Sequence, residues 1–183
     1  MDIFEKCYNF TRADDAKAAG LYPYFRVIQS GPGSEVKIDG KEMIMIGSNN
    51  YLGLTGHPKV VEAAANAVKK YGSGCTGSRY LNGTLDIHVE LEERLANFMN
   101  REAVVCFTTG HQSNQGALSA LIGKKDLIFT DRDDHASIVD GCRLSFGNII
   151  KYKHNDMEDL ERLLERNKSS DKGKLIVTDG VFS

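Results

Sequence analysis

The sequence lacks the segments by which membrane, secreted and nucleic-acid-binding proteins are recognised. No apolar run approaches the length that is needed to span a bilayer. The N-terminal stretch MDIFEKCYNFTRADDAK mixes both signs of charge and has no apolar core followed by small residues, so no signal peptide is predicted. The formal net charge is -2 and there is no basic block, which argues against nucleic acid as a partner.

Cysteine pairs and the common nucleotide-binding loops are also missing. The four cysteines form no C-x-x-C pair and no cluster with zinc-ligand spacing; they are Cys7, Cys75, Cys106 and Cys142. We therefore expect free thiols in a reducing cytosol, no metal site and a cytoplasmic protein. Neither a G-x-G-x-x-G fingerprint nor a Walker loop occurs, so NAD and ATP sites lose support.

The composition is that of an ordinary globular protein. The chain has 183 residues, 41% of them hydrophobic and 26% charged, which is the size of one domain and part of a second. Its first part predicts a helix over residues 2–20, closed by Gly20, and then a β-hairpin over residues 35–46 with a tight turn at Asp39-Gly40. A further helix is predicted to begin at Pro58 and to end before Gly72.

From residue 103 the chain alternates short apolar strands with helices. Four strands are predicted, over residues 103–107, 127–130, 149–152 and 175–178. Three helices are predicted between them, near residues 112–121, 136–144 and 157–166, the last with a capping box of Asn155 and Glu158. Such alternation is typical of a parallel sheet that helices cover on both faces and that binds ligands beyond the carboxyl ends of its strands. Because the chain stops directly after a predicted strand, we expect an N-terminal portion of a longer protein.

Two features at the predicted strand ends point to a bound ligand. Thr108, Thr109 and Gly110 follow a strand and open a helix, and free N–H groups at a helix N-terminus favour an anion such as phosphate. An ordinary strand-to-helix turn has the same pattern. His135 lies beyond the next strand, where its ring either makes a local hydrogen bond or serves a cofactor by stacking or by acid–base chemistry.

Other polar residues give weaker signals, and each has a structural alternative. Asn49 and Asn50 either bind a carboxylate or stabilise a turn. Arg26 and Arg79 either bind a carboxylate or phosphate or remain solvated. His111 is ambiguous, whereas the remaining histidines are expected to be structural or solvated; they are His57, His88 and His154.

Seven segments, in this order and spacing, together resemble one known family: GSNNYLGLTGHP, KYGSGCTGSRYLNGT, HVELEERLA, FTTGHQSN, DDHASIVDG, YKHNDMEDLE and TDGVFS. They are similar to the pyridoxal-phosphate-dependent α-oxoamine synthases, over nearly the whole chain from about Gly20. The segments LYPYFRVIQS and DHASIVDGCRLSF look closest to the bacterial serine palmitoyltransferases. The resemblance implies an α/β fold, the aspartate aminotransferase-like large domain of fold-type I, incomplete at its C-terminus. Residues 1–46 then form an N-terminal helix and hairpin segment, and residues 47–183 form the first part of that pyridoxal-phosphate-binding domain.

The resemblance also implies an activity. The family joins an amino acid to an acyl-CoA with loss of carbon dioxide, and the closest members imply L-serine and palmitoyl-CoA as substrates and 3-ketodihydrosphingosine as product. A homodimer with a shared active site is expected, and peripheral association with the inner membrane is an open expectation. The alternatives within the family are 2-amino-3-ketobutyrate CoA ligase and 8-amino-7-oxononanoate synthase. An alternative of another class is a non-catalytic subunit or inactive fragment that lacks the lysine to which the cofactor is attached.

Cofactor roles carry over to positions that match the family's motifs. Gly110 and His111, with Thr109 beside them, match the turn whose backbone binds the cofactor phosphate. His135 matches the catalytic histidine that stacks on the pyridine ring and helps to orient the amino-acid carboxylate. Ser183 matches a serine near the phenolic oxygen of the cofactor.

Substrate and interface roles carry over in the same way. Asn49, with Asn50 beside it, matches the asparagine near the carboxylate, and Arg26 matches an arginine near the acyl-CoA entrance. The loop over residues 72–84 lies near the dimer interface and the partner's active site in the family; its candidate residues are Gly74, Ser78, Arg79 and Thr84.

The chain departs from the family pattern at two points. Position 111 is usually Phe or Tyr, so His111 alters the packing of the phosphate turn. The family's cofactor-binding lysine, its pyridine-pairing aspartate and its substrate-binding arginine all lie beyond Ser183. The 183 residues alone are therefore expected to be inactive.

Overall fold

The computed structural model describes residues 2–31 and 33–182. The chain divides into two units, Met1–Ser78 and Arg79–Ser183, which are described separately. The sequence predicted a domain boundary after residue 46, between the N-terminal segment and the large domain. This boundary stays a prediction. Within the described residues no helix is both long and apolar enough to cross a membrane.

The first unit begins with two short helices rather than the single helix predicted over residues 2–20. Helix α1 spans Glu5–Tyr8 and α2 spans Arg12–Ala18. The break falls on Asn9, Phe10 and Thr11, which are all weak helix formers, so the one-helix prediction was wrong at this point. Gly20, with φ of +69°, follows α2 in the left-handed conformation, as expected for a helix end.

The hairpin and the next helix follow their sequence signals. Strand β1, Glu35–Ile38, pairs in antiparallel register with β2, Lys41–Ile44. Asp39 and Gly40 have φ of +51° and +76°, the pair of left-handed residues that a tight hairpin turn requires. Helix α3, Pro58–Tyr71, has proline in its first turn and Gly72 directly after its end, so its predicted boundaries are confirmed.

The second unit contains a parallel sheet of three strands in the order β4-β3-β5. The strands are β3 (Leu127–Asp131), β4 (Asn148–Tyr152) and β5 (Lys174–Val177). The helices are α4 (Asp86–Met99), α5 (Gly110–Leu121), α6 (Ala136–Leu144) and α7 (Met157–Arg166). Every residue of the central strand β3 is buried, including the polar Thr130 and Asp131 at its end. Its apolar start, residues 127–129, is typical of a strand inside a parallel sheet.

The first of the four predicted strands, over residues 103–107, is absent from the described structure. A strand needs a neighbour for its N–H and C=O groups, and none of the described strands pairs with this segment. The N–H of Cys106 instead donates to the carboxylate of Glu92 at 2.8 Å, and Val105 is 73% exposed. The prediction was wrong because apolar composition alone does not supply a pairing partner.

Helix α7 has its predicted bounds, Met157–Arg166, but its cap differs from the prediction. Asn155, the expected cap, has a left-handed φ of +51°, and its N–H donates to Asp131 at 2.9 Å. The backbone is therefore still turning at this residue, and the cap lies one position later than predicted. Asp156 is the cap, because its Oδ1 accepts the N–H of Asp159 at 2.8 Å.

Helices α5 and α6 pack unusually closely because Gly141 has no side chain. A Cβ at this position would lie 2.9 Å from the backbone oxygen of Asn114 and 2.9 Å from a methyl carbon of Leu118. The contact adjoins a core of five buried residues, Leu118, Ile122, Ile128, Ile138 and Cys142. Asn114 of α5 consequently lies beside Ser137, which is in the first turn of α6.

Candidate functional site

The polar residues of the second unit gather beyond the carboxyl ends of its parallel strands, where the sequence predicted a ligand. Asp131 ends β3, His154 and Asn155 follow β4, and Asp179 follows β5. Because β3 is central and pairs with both neighbours in parallel, these three ends meet at one edge of the sheet. Hydrogen bonds then join the loops to one another.

Asp131 anchors the loop after β4. Its buried carboxylate accepts the N–H groups of Asp133 and Asn155, each at 2.9 Å, and lies 3.1 Å from Nδ1 of His154. Burial raises the pKa of Asp131, but the hydrogen bonds from Asn155, Asp133 and His154 outweigh it and leave the pKa below its ordinary value. The ring of His154 also packs edge-on against Phe182, with centroids 4.6 Å apart. These contacts support the prediction that His154 is structural.

Two other aspartates fix the loop that leads into α6. Oδ2 of Asp134 accepts the hydroxyl of Thr130 at 2.6 Å, and its Oδ1 accepts the N–H of Asp179 at 2.9 Å. Asp179 returns the contact, because its Oδ2 accepts the N–H of His135 at 2.7 Å. The backbone of His135 is therefore held from two strand ends.

The ring of His135 caps α6. Its Nδ1 accepts the N–H of Ser137 at 3.1 Å and lies 2.7 Å from the Ser137 hydroxyl. The local hydrogen bond that the sequence left as an alternative is thus present. The residue as a whole remains exposed, so the ring is also open to a ligand. His111 packs edge-on against it, with centroids 6.5 Å apart.

The predicted anion turn lies at the start of α5, which begins two residues before its predicted start. Thr109 is the cap, and its hydroxyl oxygen accepts the N–H of Gln112 at 3.1 Å. Among the described residues, the N–H groups of Gly110 and His111 have no hydrogen-bond acceptor. Among the described residues, a Cβ at Gly110 would meet nothing within 4 Å, so the space beside this glycine is open. The turn has the form of an anion site in which the backbone is the donor.

His111 connects α5 to α6 on the same side. Its Nε2 lies 3.8 Å from a carboxylate oxygen of Asp140, and both side chains are partly exposed. The structure therefore brings the phosphate turn, His111 and His135 together, as the sequence predicted.

Arg79 joins its loop to helix α4, and Thr84 makes a hydrogen bond within the loop. The guanidinium of Arg79 binds both carboxylate oxygens of Glu92, at 2.5 and 3.0 Å, and the Thr84 hydroxyl donates to the Arg79 carbonyl at 2.7 Å. Hydrogen bonds from Arg79 and from the N–H of Cys106 lower the pKa of Glu92 to about 2. Arg79 thus orders the loop through Glu92 instead of remaining solvated, which the sequence had left open.

The remaining predicted positions lie in the first unit. Asn49 and Asn50 line an open cavity of about 690 Å³, whose wall includes Val36 and Met45. Oδ1 of Asn50 accepts the N–H of Thr55 at 3.2 Å, which supports the turn-stabilising alternative for this residue. Three further candidates are exposed, namely Arg26, Gly74 and Ser78. Ser183 lies outside the described residues.

Sequence reasoning missed two groups of residues that order the site. The loops containing Asp131, Asp134 and Asp179 were flagged only as strand ends, although acidic residues directly after buried strands were a usable signal. Glu92 was not flagged, because α4 was read for its apolar face alone. Asn114 and Ser137 had no distinctive local pattern.

Several known proteins are similar to this chain. The family model described as aminotransferase class I and II matches residues 41–183. A serine palmitoyltransferase from Sphingobacterium spiritivorum is 55% identical over 181 residues, and an 8-amino-7-oxononanoate synthase from Geotalea daltonii is 46% identical over 170 residues. These alignments cover 99% and 93% of this chain, but only 45% and 43% of the relatives.

A solved structure is also similar to this chain. The chain superimposes with a TM-score of 0.93, at 35% identity, on a serine palmitoyltransferase variant from S. paucimobilis with a bound PLP–myriocin aldimine. The match covers 100% of this chain and 46% of that one. The α/β fold with a parallel sheet is therefore confirmed, and the chain spans about half the length of the relatives that it matches.

Proposed function

This chain belongs to the aminotransferase class I and II family, and on that premise we propose that the whole protein is a pyridoxal-phosphate-dependent acyltransferase. The proposed reaction condenses L-serine with palmitoyl-CoA, with loss of carbon dioxide, and gives 3-ketodihydrosphingosine. The identity of 55% to a protein named serine palmitoyltransferase supports this substrate pair. A homodimer with a shared active site is part of the proposal.

The residues present fit pyridoxal phosphate. The two N–H donors of Gly110 and His111 at the start of α5 have no acceptor among the described residues, which suits a phosphate group. The exposed ring of His135, which is anchored through its Nδ1, suits a flat aromatic partner. When bound, the cofactor withdraws electrons from the amino acid and so supplies the carbon nucleophile that the condensation needs.

Each site residue then has one task. The backbone of Gly110 and His111, capped by Thr109, binds the phosphate. The ring of His135 stacks on the cofactor and orients the substrate carboxylate, so that the bond to be broken is aligned with the conjugated system. Ser183 lies near the phenolic oxygen in this proposal.

The proposed roles of the first unit concern the substrates. Asn49 contacts the amino-acid carboxylate, and Asn50 holds the turn that presents it. Arg26 lies at the acyl-CoA entrance. Gly74 and Ser78, with Arg79 and Thr84 of the second unit, form the loop at the dimer interface.

One observation carries the proposal, namely the ring of His135 beside an open helix N-terminus, with the His111 ring 6.5 Å away. The test is an assay of the whole protein with serine and palmitoyl-CoA against glycine and acetyl-CoA, followed by mass spectrometry of the products. We expect a 3-ketodihydrosphingosine product from the first pair. A product from glycine alone would identify a different member of the family.

A second candidate is 8-amino-7-oxononanoate synthase. The identity of 46% between this chain and a protein of that name supports it. A non-catalytic subunit is the alternative of another class. Borohydride reduction of the whole protein with pyridoxal phosphate, followed by peptide mapping, separates the classes. A single labelled lysine supports an enzyme, and no labelled lysine supports a scaffold.

A cytoplasmic location and peripheral contact with the inner membrane are further proposals. Cell fractionation tests the location, and binding to lipid vesicles tests the membrane contact.

A further inference from the structure

The proton of the neutral His135 ring has a position that the backbone determines. The N–H of Ser137 lies 3.1 Å from Nδ1 of His135 in the cap of α6. A backbone N–H is always a donor, so Nδ1 must present a lone pair. In a neutral imidazole one nitrogen is the acceptor and the other is the donor. The proton therefore resides on Nε2.

A side-chain relay supplies a second donor to the same nitrogen. Nδ2 of Asn114 donates to the hydroxyl oxygen of Ser137 at 2.9 Å. This leaves the hydroxyl hydrogen free to point at Nδ1 of His135, which is 2.7 Å away. Ser137 is only 1% exposed, so water does not compete for the relay. The close packing at Gly141 brings Asn114 within reach.

We propose that Asn114 and Ser137 are positioning residues that hold His135 in the Nε2–H tautomer, so that its ring acts in the site as a hydrogen-bond donor. The ligand group is a carboxylate, in particular that of the amino-acid substrate. This inference rests on the proposed function for the identity of the ligand. The tautomer itself rests only on the contacts of this chain.

The geometry of the ring agrees with this role. Nδ1 and Nε2 point in nearly opposite directions from an imidazole, and Nδ1 points at the buried Ser137. Nε2–H therefore points away from the protein interior, and among the described residues it has no acceptor. A carboxylate in the site would accept this hydrogen bond.

The chain contains its own reference for the opposite tautomer. Nδ1 of His154 lies 3.1 Å from the carboxylate of Asp131, which is ionised and can only accept. His154 must therefore carry a proton on Nδ1. His88 resembles His135, because its Nδ1 accepts the N–H of Leu85 at 3.0 Å.

Nitrogen NMR of the whole protein tests the tautomer without any need for activity. The protein is labelled with ¹⁵N-histidine, stripped of cofactor, and studied by correlation of the ring nitrogens with the ring carbon-bound protons. The signals of His135 and His154 are assigned with the variants His135→Gln and His154→Gln. We expect an unprotonated Nδ1 at His135 and a protonated Nδ1 at His154 when both rings are neutral. A protonated Nδ1 in neutral His135 overturns the inference.

The variant Asn114→Asp tests the relay. A carboxylate at this position accepts the Ser137 hydroxyl hydrogen, so Nδ1 loses the hydroxyl donor and keeps the backbone N–H donor of Ser137. We expect the Nδ1 signal of His135 to move part of the way toward the protonated type. The matched control is Asn97→Asp on the exposed face of α4, which makes the same change in charge and should leave the signal unchanged. An unchanged signal in a folded Asn114→Asp protein would remove Asn114 from the relay.

The donor role is tested in the cofactor-loaded protein. Asn114→Asp should weaken the Nε2–H donor of His135, and with it a charge-assisted hydrogen bond to the substrate. We therefore expect the KM for serine to rise by about tenfold, with a smaller change in kcat. Equal KM values in the two proteins would contradict the donor role even if the tautomer is as expected. If the parent tautomer is confirmed but no cofactor binds, the proposed function fails and the assigned tautomer stands.

Discussion

The carboxylate of Asp134 accepts the backbone N–H of Asp179 at 2.9 Å, although the two residues are 45 positions apart. Asp179 in turn accepts the N–H of His135 at 2.7 Å. The pair therefore ties the end of β5 to the loop that presents His135. The fold positions the candidate site through these polar contacts, as well as through its apolar core.

Removal of Asp134 should destabilise the protein strongly. In Asp134→Ala, the Thr130 hydroxyl and the Asp179 N–H both lose their acceptor in a region where Asp134 is 7% exposed. We expect a loss of about 3 kcal/mol in the free energy of unfolding, measured by urea denaturation of the whole protein. The control is Asp133→Ala. Among the described residues, the exposed Asp133 side chain makes only long ion pairs, so its loss should cost about 0.5 kcal/mol or less. Similar losses in both variants would show that the two hydrogen bonds of Asp134 contribute no more to stability than the exposed Asp133 side chain does.

Glu92 should make stability depend on acid pH. Its pKa is about 2 in the folded protein against an ordinary value of 4.5, because Arg79 and the Cys106 N–H bind its ionised form. A lowered folded pKa means that this contribution is complete above about pH 4.5 and is lost as the pH falls toward 2. Glu92→Gln should therefore unfold at a lower temperature than the parent at pH 6, and the two Tm values should converge at low pH.

The control for this profile is Glu90→Gln on the same helix. In the part of the chain that the structure describes, Glu90 pairs only with Arg94, and both side chains are largely exposed, so its loss should hardly change Tm at any pH. A gap between the parent and Glu92→Gln that persists undiminished at pH 2 would show that the ionised carboxylate is not its source.

Gly141→Ala should separate α5 from α6. The new methyl group would lie 2.9 Å from the Asn114 backbone oxygen, and backbone cannot move as a side chain does. We expect a loss of about 1–3 kcal/mol in stability, as for other overpacked interiors, and a longer contact between Asn114 and Ser137 in a crystal structure. Gly47→Ala is the control, because a Cβ there meets nothing within 4 Å. Equal stability of the two variants would contradict the close packing.

The sequence predicted what depends on local pattern. The apolar run of β3 and the proline and glycine that bound α3 specify their elements without distant partners. Contacts between distant residues could not be predicted, since no local signal pairs Asp134 with Asp179 or Glu92 with Cys106. The failure at residues 103–107 has the same cause, because a strand is defined by a neighbour.

The candidate site divides in the same way. The motif around Gly110 and the position of His135 were sufficient to predict an anion turn and a ring beside it, since both follow from strand and helix order. The relay to His135 was not predictable, because Asn114 lies 23 residues from Ser137 and their contact depends on how α5 packs on α6.

His135→Asn should separate the structural role of this residue from its proposed role in the site. Asparagine is a good helix cap, so its side-chain oxygen can accept the Ser137 N–H in place of Nδ1 and keep α6 intact. The variant lacks the aromatic ring and the Nε2–H donor. We expect a Tm close to that of the parent, and a kcat/KM for the proposed condensation that falls by about a hundredfold or more.

The matched control for His135→Asn is His57→Asn, because Nδ1 of His57 caps α3 in the same way, by accepting the Lys59 N–H at 3.2 Å. This variant should keep both stability and activity. His135→Ala removes the cap as well as the ring, so it should lose stability in addition, by about 1 kcal/mol. Full activity in a stable His135→Asn protein would exclude the ring from the reaction and leave His135 as a helix cap alone.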